Sequence, residues 1–530
     1  MTSQHWAFRV ADDLIQRFPS RMITCASGIS PSGIVHAGNL REIMTAEFVY
    51  RALKNRGVDT RFLFSWDDFD RLRKVPANMP ASLGESVGNP YSEVPDPYGE
   101  YSSYAERFEK IFESAMEKLG VQPEFIRQYG MYKSGAYDEN IRFALQNRSR
   151  FGQVIARNMT QGMTPQELDE YFPVSVYSRF TGKDTTKILA YDGENKLTYL
   201  CEETGKQDTI DFTKDHQVKL AWKIDWPMRW RHENVDFEPG GPDHASPLGS
   251  YHVSSQIARE LFDIEPPQFL EYQFIRIKGM SQKMSSSKGN VFSPAELLEV
   301  YSPMMVRWLY CRSLPNVPID IAFDIDVIRA HEEFDRRVLD FVSGNLEQQI
   351  QQEIFLSMIN EGTKLQRNPI SFRQIAGMGD ATDFNKQRIH ELLALAGSQF
   401  DVEGVDDRLE RSHKWMDQYF PEGRSKLVGA PNTDYYRALP TDQQQQIAAF
   451  REIVARADLS SIESLESALY AIPKRPEMSD PEKKLAQRTF FRNVYQLLFG
   501  KDQGPRLPTY VWAGPREKLK QLLGFDIKDD

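Results

Sequence analysis

Cysteine is nearly missing: Cys25, Cys201 and Cys311 are the only three in 530 residues, more than 100 positions apart and with no CxxC pair. That spacing argues against a disulfide framework and against a structural zinc knuckle, and it fits a reducing cytoplasm. Long apolar runs are missing too. None approaches the roughly 18 residues that span a bilayer, which excludes a helical membrane protein. The opening stretch carries Arg9, Asp12 and Asp13 where a secretory signal needs an apolar core, so none is read there. A positive balance is also absent, with a net charge of −10 and a pI of about 5.6. Taken alone this argues mildly against a nucleic-acid partner, but a bulk balance says little about a local patch. What remains is ordinary globular usage, 40% hydrophobic and 26% charged, which excludes wholesale disorder.

The length allows roughly three or four domains. Residues 22–27 (MITCAS) read as a short buried strand, and GISPSGIVHAGN follows as a Gly/Ser/Pro loop. From Asn39, LREIMTAEFVYRALKNRG has helical spacing and closes at Gly57, and TRFLFSW (60–66) returns as a strand. Strand, loop, helix, strand is the start of a parallel sheet with right-handed crossovers. Residues 67–215 break this rhythm and read as an insertion, with helices near 101–119 and 136–160 and a small antiparallel hairpin within 185–213. The sheet is expected to resume at 235–241, with a helix near 250–262 and a strand at 269–277. Beyond about 325 the pattern is helical and rich in Glu, Gln, Arg and Leu, a separate all-α region.

Two motifs carry chemistry. PSGIVHAGN (31–39) joins a strand to a helix N-terminus, whose free N–H groups and positive dipole end suit phosphate. Gly33 and Gly38 let a ligand approach the backbone, and His36 and Asn39 can point at one ligand. The plainer alternative is a β-α turn with a capping Asn. GMSQKMSSSKGN (279–290) is a donor-rich cationic loop, and its Lys283 and Lys288 suit a polyphosphate that gains charge as pyrophosphate leaves. Its alternative is a polar surface loop. The pair is far more specific than either part.

HAGN and KMSSS look like the two signature sequences of class I aminoacyl-tRNA synthetases. The longer stretches SGISPSGIVHAGNLREI, SWDDFDRLRKVP, KIDWPMRW, DFEPGGPDHASPLGSY and KMSSSKGN, in that order, closely resemble the class I lysyl-tRNA synthetase family. The resemblance covers at least residues 20–340 and extends toward the end through FFRNVYQLLFGKDQGPRLP. It implies an α/β fold: a Rossmann-type parallel-sheet catalytic domain (1–280, with 67–215 inserted), a KMSKS-loop and stem-contact region (281–340), and an all-helical anticodon-binding domain (341–530). It also implies ATP with Mg2+, lysine activation to lysyl-adenylate, and transfer to tRNA(Lys).

By that resemblance His36, Asn39, Lys283 and Lys288 are catalytic, and Pro31, Gly33, Gly38, Met284, Ser285, Ser286 and Ser287 join them around ATP. Gly28, Ser30, Trp222, His244 and Tyr272 surround the amino acid, with Asp67 or Asp68 as counter-charge to an amino group. Two positions depart from the general class I pattern, Asn39 for a second His and Ser286 for a Lys, with Lys288 two places later. Members of the family often carry zinc-binding cysteine clusters in the inserted region, where this chain has only Cys201, so no zinc is expected.

Three further features stand on the residues themselves. Trp222, Trp226 and Trp230, four apart, share one helix face and fit a core or a pocket wall. His244 sits in a Gly/Pro loop after a strand, which favours a site. Residues 471–520 hold 11 Lys/Arg against 5 Asp/Glu, interleaved with Phe490, Phe491, Tyr495, Phe499, Tyr510 and Trp512. That mixture suits RNA by stacking and phosphate contacts, or else an amphipathic helix pair with a basic outer face. The expectation is an ATP-dependent lysine–tRNA ligase, cytoplasmic, monomeric and without membrane contact. The alternatives are a glutamyl-tRNA synthetase-like ligase, whose pocket wants an arginine, and a non-catalytic tRNA-binding paralogue.

Overall fold

The computed structural model describes residues 4–278, 292–344, 347–360, 362–365, 369–456 and 462–525. The second motif, with Lys283, Met284, Ser285, Ser286, Ser287 and Lys288, lies outside the described residues.

Five parallel strands form the central sheet: β1 (Ile23–Ile29), β2 (Thr60–Trp66), β3 (Glu124–Arg127), β4 (Phe237–Gly240) and β5 (Gln268–Glu271), in the order β5-β4-β1-β2-β3. Register is set by pairs such as Cys25↔Phe62, Cys25↔Phe237, Phe64↔Phe125 and Phe269↔Glu238. Helix α1 (Trp6–Arg17) precedes the sheet, α2 (Ala37–Asn55) joins β1 to β2, and α3 (Tyr104–Lys118) precedes β3. Helix α4 (Trp222–Glu233) leads into β4, and α5 (Ser250–Glu260) joins β4 to β5. Leu40, Ile43, Met44, Phe48 and Val49 of α2 are buried, so the apolar face seen in the sequence is the face laid on the sheet. The α/β fold with a Rossmann-type sheet is thus observed, and so is the helical C-terminal region.

Three details correct the sequence reading. The stretch 67–215 is not one insertion, because β3 within it pairs with β2 and belongs to the central sheet. EFIR is short and polar, so its strand is made by its neighbour rather than by its own pattern. The hairpin at 185–213 is a three-stranded antiparallel sheet, Thr186–Tyr191, Lys196–Cys201 and Gln207–Asp211. The strand expected over 269–277 is two strands: β5, and Ile275–Ile277, which pairs with Ile319–Ile321 in a separate sheet.

The chain divides into two compact units, 1–321 with 345–363, and 322–344 with the residues from 364 onward. The chain therefore crosses between the units three times, after 321, 344 and 363, and the boundary expected at 341 coincides with none of these. Helix Gln348–Ser357 stays with the first unit because the buried Arg307, ion-paired to Glu47 at 2.8 Å, donates to the Leu356 carbonyl at 2.8 Å.

Helices are the only regular elements among the described residues of the second unit. Trp415 is buried there and donates to the Phe323 carbonyl at 2.9 Å. Phe490, Phe499, Tyr510 and Trp512 are buried as well, so these four aromatics pack the helices instead of offering faces to bases. The cations behave differently. Lys484, Arg488 and Arg492 lie exposed, four apart, on helix Asp480–Phe499. No helix among the described residues is long and apolar enough to cross a membrane.

Candidate active site

The first motif forms where β1 ends. Asn39 Oδ1 accepts from the His36 N–H at 3.2 Å, a reciprocal cap that starts α2 at Ala37. Val35 and Leu40, on either side of that cap, are both buried, which fixes the angle at which the loop enters the helix. With its oxygen so used, the Asn39 amide turns its donor end outward. The loop opens on a cavity of about 650 Å³ at the C-terminal ends of the strands, the usual ligand position of an open α/β sheet.

Gly28, Ser30, His36, Gly38, Asn39, Asp67, Trp222, His244 and Tyr272 all line this cavity. Pro31, Gly33 and Asp68 do not. Ser30 and Ser32 face it on either side of Pro31, and Asp68 is engaged elsewhere. Asp68 accepts from the Tyr129 N–H at 2.7 Å and the Ser92 hydroxyl at 3.1 Å, and burial pushes its carboxyl up to about 6. Asp67 is no free counter-charge either. Its carboxylate takes the Arg229 guanidinium at 2.7 Å, and that arginine also faces Asp225 at 3.1 Å. Lys219 continues the chain of alternating charges, 3.2 Å from Asp225 and 3.0 Å from Asp70.

The carboxylate that sequence reasoning missed is Glu42. It is held between the Gly28 N–H at 3.1 Å and the Tyr272 hydroxyl at 2.8 Å. Burial pushes its carboxyl up to about 8, against the pull of those two hydrogen bonds, with Glu238 and Asp67 adding repulsion. Glu238, also missed, accepts from Trp230 Nε1 at 2.6 Å and is pushed by burial to about 7. A signal for Glu42 was available: it follows Asn39 by three positions, so both lie on one face of the helix. Among the described residues the lining holds five carboxyl groups (Glu42, Asp67, Asp70, Glu238, Asp243) against two guanidinium groups (Arg73, Arg229).

The aromatic wall comes from α4. Trp222 and Trp226 stack with centroids 5.1 Å apart and 18° between planes, and both line the cavity, while Trp230 is buried beneath. The stripe is core at one end and pocket at the other. His244 sets its ring edge-on to Trp226 at 5.4 Å, with burial holding its pKa down and Nδ1 buried without a hydrogen-bond partner among the described residues. A Cβ at Gly28 would sit 3.1 Å from the Ser65 carbonyl of β2, so a larger residue there would need that strand to give way by a few tenths of an ångström.

Among the described residues no group of three or more His, Cys, Asp or Glu side chains could hold a metal ion. The cavity thus combines a helix N-terminus for phosphate, an aromatic wall for a long apolar stem, and buried carboxyl groups for a cation.

Comparison with known proteins matches residues 4–360 to the family model "tRNA synthetases class I (K)". A lysine–tRNA ligase from Pyrococcus horikoshii is 34% identical, with 98% of this chain and 99% of the relative aligned. Lysine–tRNA ligases from Streptomyces coelicolor (33%) and Treponema pallidum (32%) align over 98% of both chains. With two thirds of its length matched by the family model and nearly all of it by these relatives, the chain belongs to the family of tRNA synthetases class I (K).

Proposed function

We propose that the chain is an ATP-dependent lysine–tRNA ligase that forms lysyl-adenylate and passes the lysyl group to the 3′ end of tRNA(Lys). The observation that carries the lysine assignment is the buried Glu42 carboxyl, bracketed by Tyr272 and Gly28 in a cavity with five carboxyl groups against two guanidinium groups. A carboxyl group pushed up to about 8 by burial is poised for a cation, whose arrival restores the charged form. Trp222 and Trp226 offer ring faces to a four-carbon stem and its ammonium.

In the reaction the lysine carboxylate attacks the α-phosphorus of ATP, and pyrophosphate leaves. The Gly38 N–H and the Asn39 amide donate to phosphate, since the Ala37 N–H already donates to the Phe292 carbonyl at 2.7 Å, and His36 contributes its ring to the same loop. Lys283 and Lys288 stabilise charge that builds on the phosphates in transit. ATP arrives as its Mg2+ complex, which neutralises part of the polyphosphate charge. The 3′-terminal ribose hydroxyl of the tRNA then attacks the adenylate carbonyl, and AMP departs. The enzyme acts as a monomer in the cytoplasm.

The glutamyl reading needs an arginine free to meet a side-chain carboxylate. Arg229 does line the cavity, but Asp67 and Asp225 already neutralise it, and Arg73, the other guanidinium group of the described lining, is exposed at its edge. ATP–pyrophosphate exchange and aminoacylation against all twenty amino acids, with and without total tRNA, test the assignment. Lysine alone is expected to support both. Charging of glutamate would select the glutamyl reading, and tRNA binding without exchange would select the paralogue.

A further inference from the structure

Two turns of the inserted region repeat one another. Residues 178–183 (SRFTGK) and 201–206 (CEETGK) share the pattern x-x-x-Thr-Gly-Lys. Their backbones close identically: Ser178 N–H donates to the Lys183 carbonyl at 2.8 Å, and Cys201 N–H to the Lys206 carbonyl at 2.9 Å. In return Gly182 N–H donates to the Ser178 carbonyl at 2.7 Å, and Gly205 N–H to the Cys201 carbonyl at 2.9 Å. The lysine N–H of each turn donates to the threonine hydroxyl two residues earlier, at 3.3 Å in both. Both glycines have left-handed φ, +73° and +67°.

Positions one and four of each turn have the spacing of a Cys-x2-Cys pair, and two such pairs make the tetrahedral ligand set of a zinc ribbon. Here the four side chains are Ser178, Thr181, Cys201 and Thr204. The two turns lie side by side: the Glu202 N–H donates to the Thr185 carbonyl at 3.0 Å, and Lys183 reaches Glu203 at 3.3 Å. Ser178 and Cys201 are both buried. Three hydroxyls and one thiol do not fit zinc, whose structural sites take thiolate, imidazole or carboxylate.

We propose that Ser178, Thr181, Cys201 and Thr204 occupy the four ligand positions of a zinc-ribbon scaffold that this chain closes with hydrogen bonds in place of a metal. The arrangement has a bearing on the site. The Thr186 hydroxyl just beyond the first turn donates to Val176 at 2.7 Å, and Val174–Val176 pairs with Val218–Leu220, the strand that leads into α4 and Trp222. The wall of the amino-acid cavity is thereby supported without dependence on metal supply.

The test uses the full chain. Elemental analysis of the purified protein is expected to find no stoichiometric zinc, and a strong chelator should leave its melting temperature unchanged. The variant S178C/T181C/T204C is expected to take up one zinc per chain, with a melting temperature that rises on zinc addition and falls on chelation. Cobalt in its place should show intense thiolate-to-metal charge-transfer bands. Cys201→Ser should remain folded and melt only slightly lower. Stoichiometric zinc in the natural protein, lost in Cys201→Ser, would overturn the proposal. So would a folded triple variant that binds neither ion. Should the triple variant not fold, the zinc content of the natural protein and the Cys201→Ser melt decide the matter.

Discussion

The Tyr272 hydroxyl donates to Glu42 Oε2 at 2.8 Å, while the Gly28 N–H holds Oε1 at 3.1 Å. One buried carboxyl group thus ties the residue following β5 to the end of β1. Held by Tyr272 and Gly28 on its two oxygens, the carboxyl group is already oriented for an incoming ammonium. Glu42→Gln should therefore raise the lysine KM by about 10²-fold or more, the cost of losing one charge-assisted partner, with little change in the ATP KM. Tyr272→Phe should have a smaller effect in the same direction. Norleucine, which keeps the stem and lacks the ammonium, should compete poorly. Steady-state kinetics decide this, and inhibition by norleucine equal to that of charged lysine analogues would leave the pocket merely apolar.

Proton linkage follows from the same group. Folded, Glu42 keeps its proton up to about pH 8, whereas its ordinary value is 4.5. The folded state binds more protons in that window, so the stability contributed by this group is fully present below about 4.5 and is lost as pH rises toward 8. Lysine binding runs the other way, since the ammonium favours the ionised carboxylate. The lysine KM should fall as pH rises from about 6 to about 8, with proton release on binding. Titration calorimetry in buffers of different ionisation enthalpy reads that release directly, and proton uptake in its place would remove Glu42 from the ammonium.

Asp67 and Asp68 are adjacent in sequence and unequal in consequence. Asp67→Asn leaves the buried Arg229 with Asp225 alone, and breaking a buried pair in this way should cost about 3 kcal/mol. Asp68→Asn loses one charged acceptor at a helix start and should cost about 1 kcal/mol. Urea unfolding of the two variants should show that order, and the reverse order would refute the pairing.

On the proposed function, Lys283→Ala or Lys288→Ala removes a cation that stabilises charge developing only in transit. A fall in kcat of about 10²–10³ is expected, with direct ATP binding nearly unchanged. An equal loss in an ATP-binding titration would assign these lysines to the ground state.

Exposed Lys484, Arg488 and Arg492 recur every four residues, about 6 Å apart along their helix. Replacing all three with Gln should weaken tRNA binding and lower the slope of log affinity against log salt by about 2–3, one counterion per lost phosphate contact. Replacing the buried Phe490 or Trp512 should instead lower the melting temperature before it affects RNA. An unchanged salt slope in the triple variant would place the RNA contacts elsewhere.

The features legible in the sequence are those whose causes are local. The β1-loop-α2-β2 unit was readable because an apolar run, a Gly/Ser/Pro loop and a helical period follow one another within 45 residues, and β2 lies where its pattern put it. The phosphate loop was readable because HAGN is itself the cap. The grouping of Gly28, Trp222, His244 and Tyr272 came through motif resemblance, and the cavity collects all four.

Tertiary structure decided everything that depends on which distant groups meet. EFIR is a strand only because β2 offers an unpaired edge. The two aspartates that looked free are occupied by Arg229 and by a helix start 60 residues on, pairings that no spacing rule reports. Four aromatics of 471–520 are core because burial is set by the helices that cover them, not by the basic residues beside them in sequence. Glu42 is an ordinary helical glutamate until β5 brings Tyr272 over it. Its charge, and with it the cavity's preference for a cation, is then set by the water that folding removes.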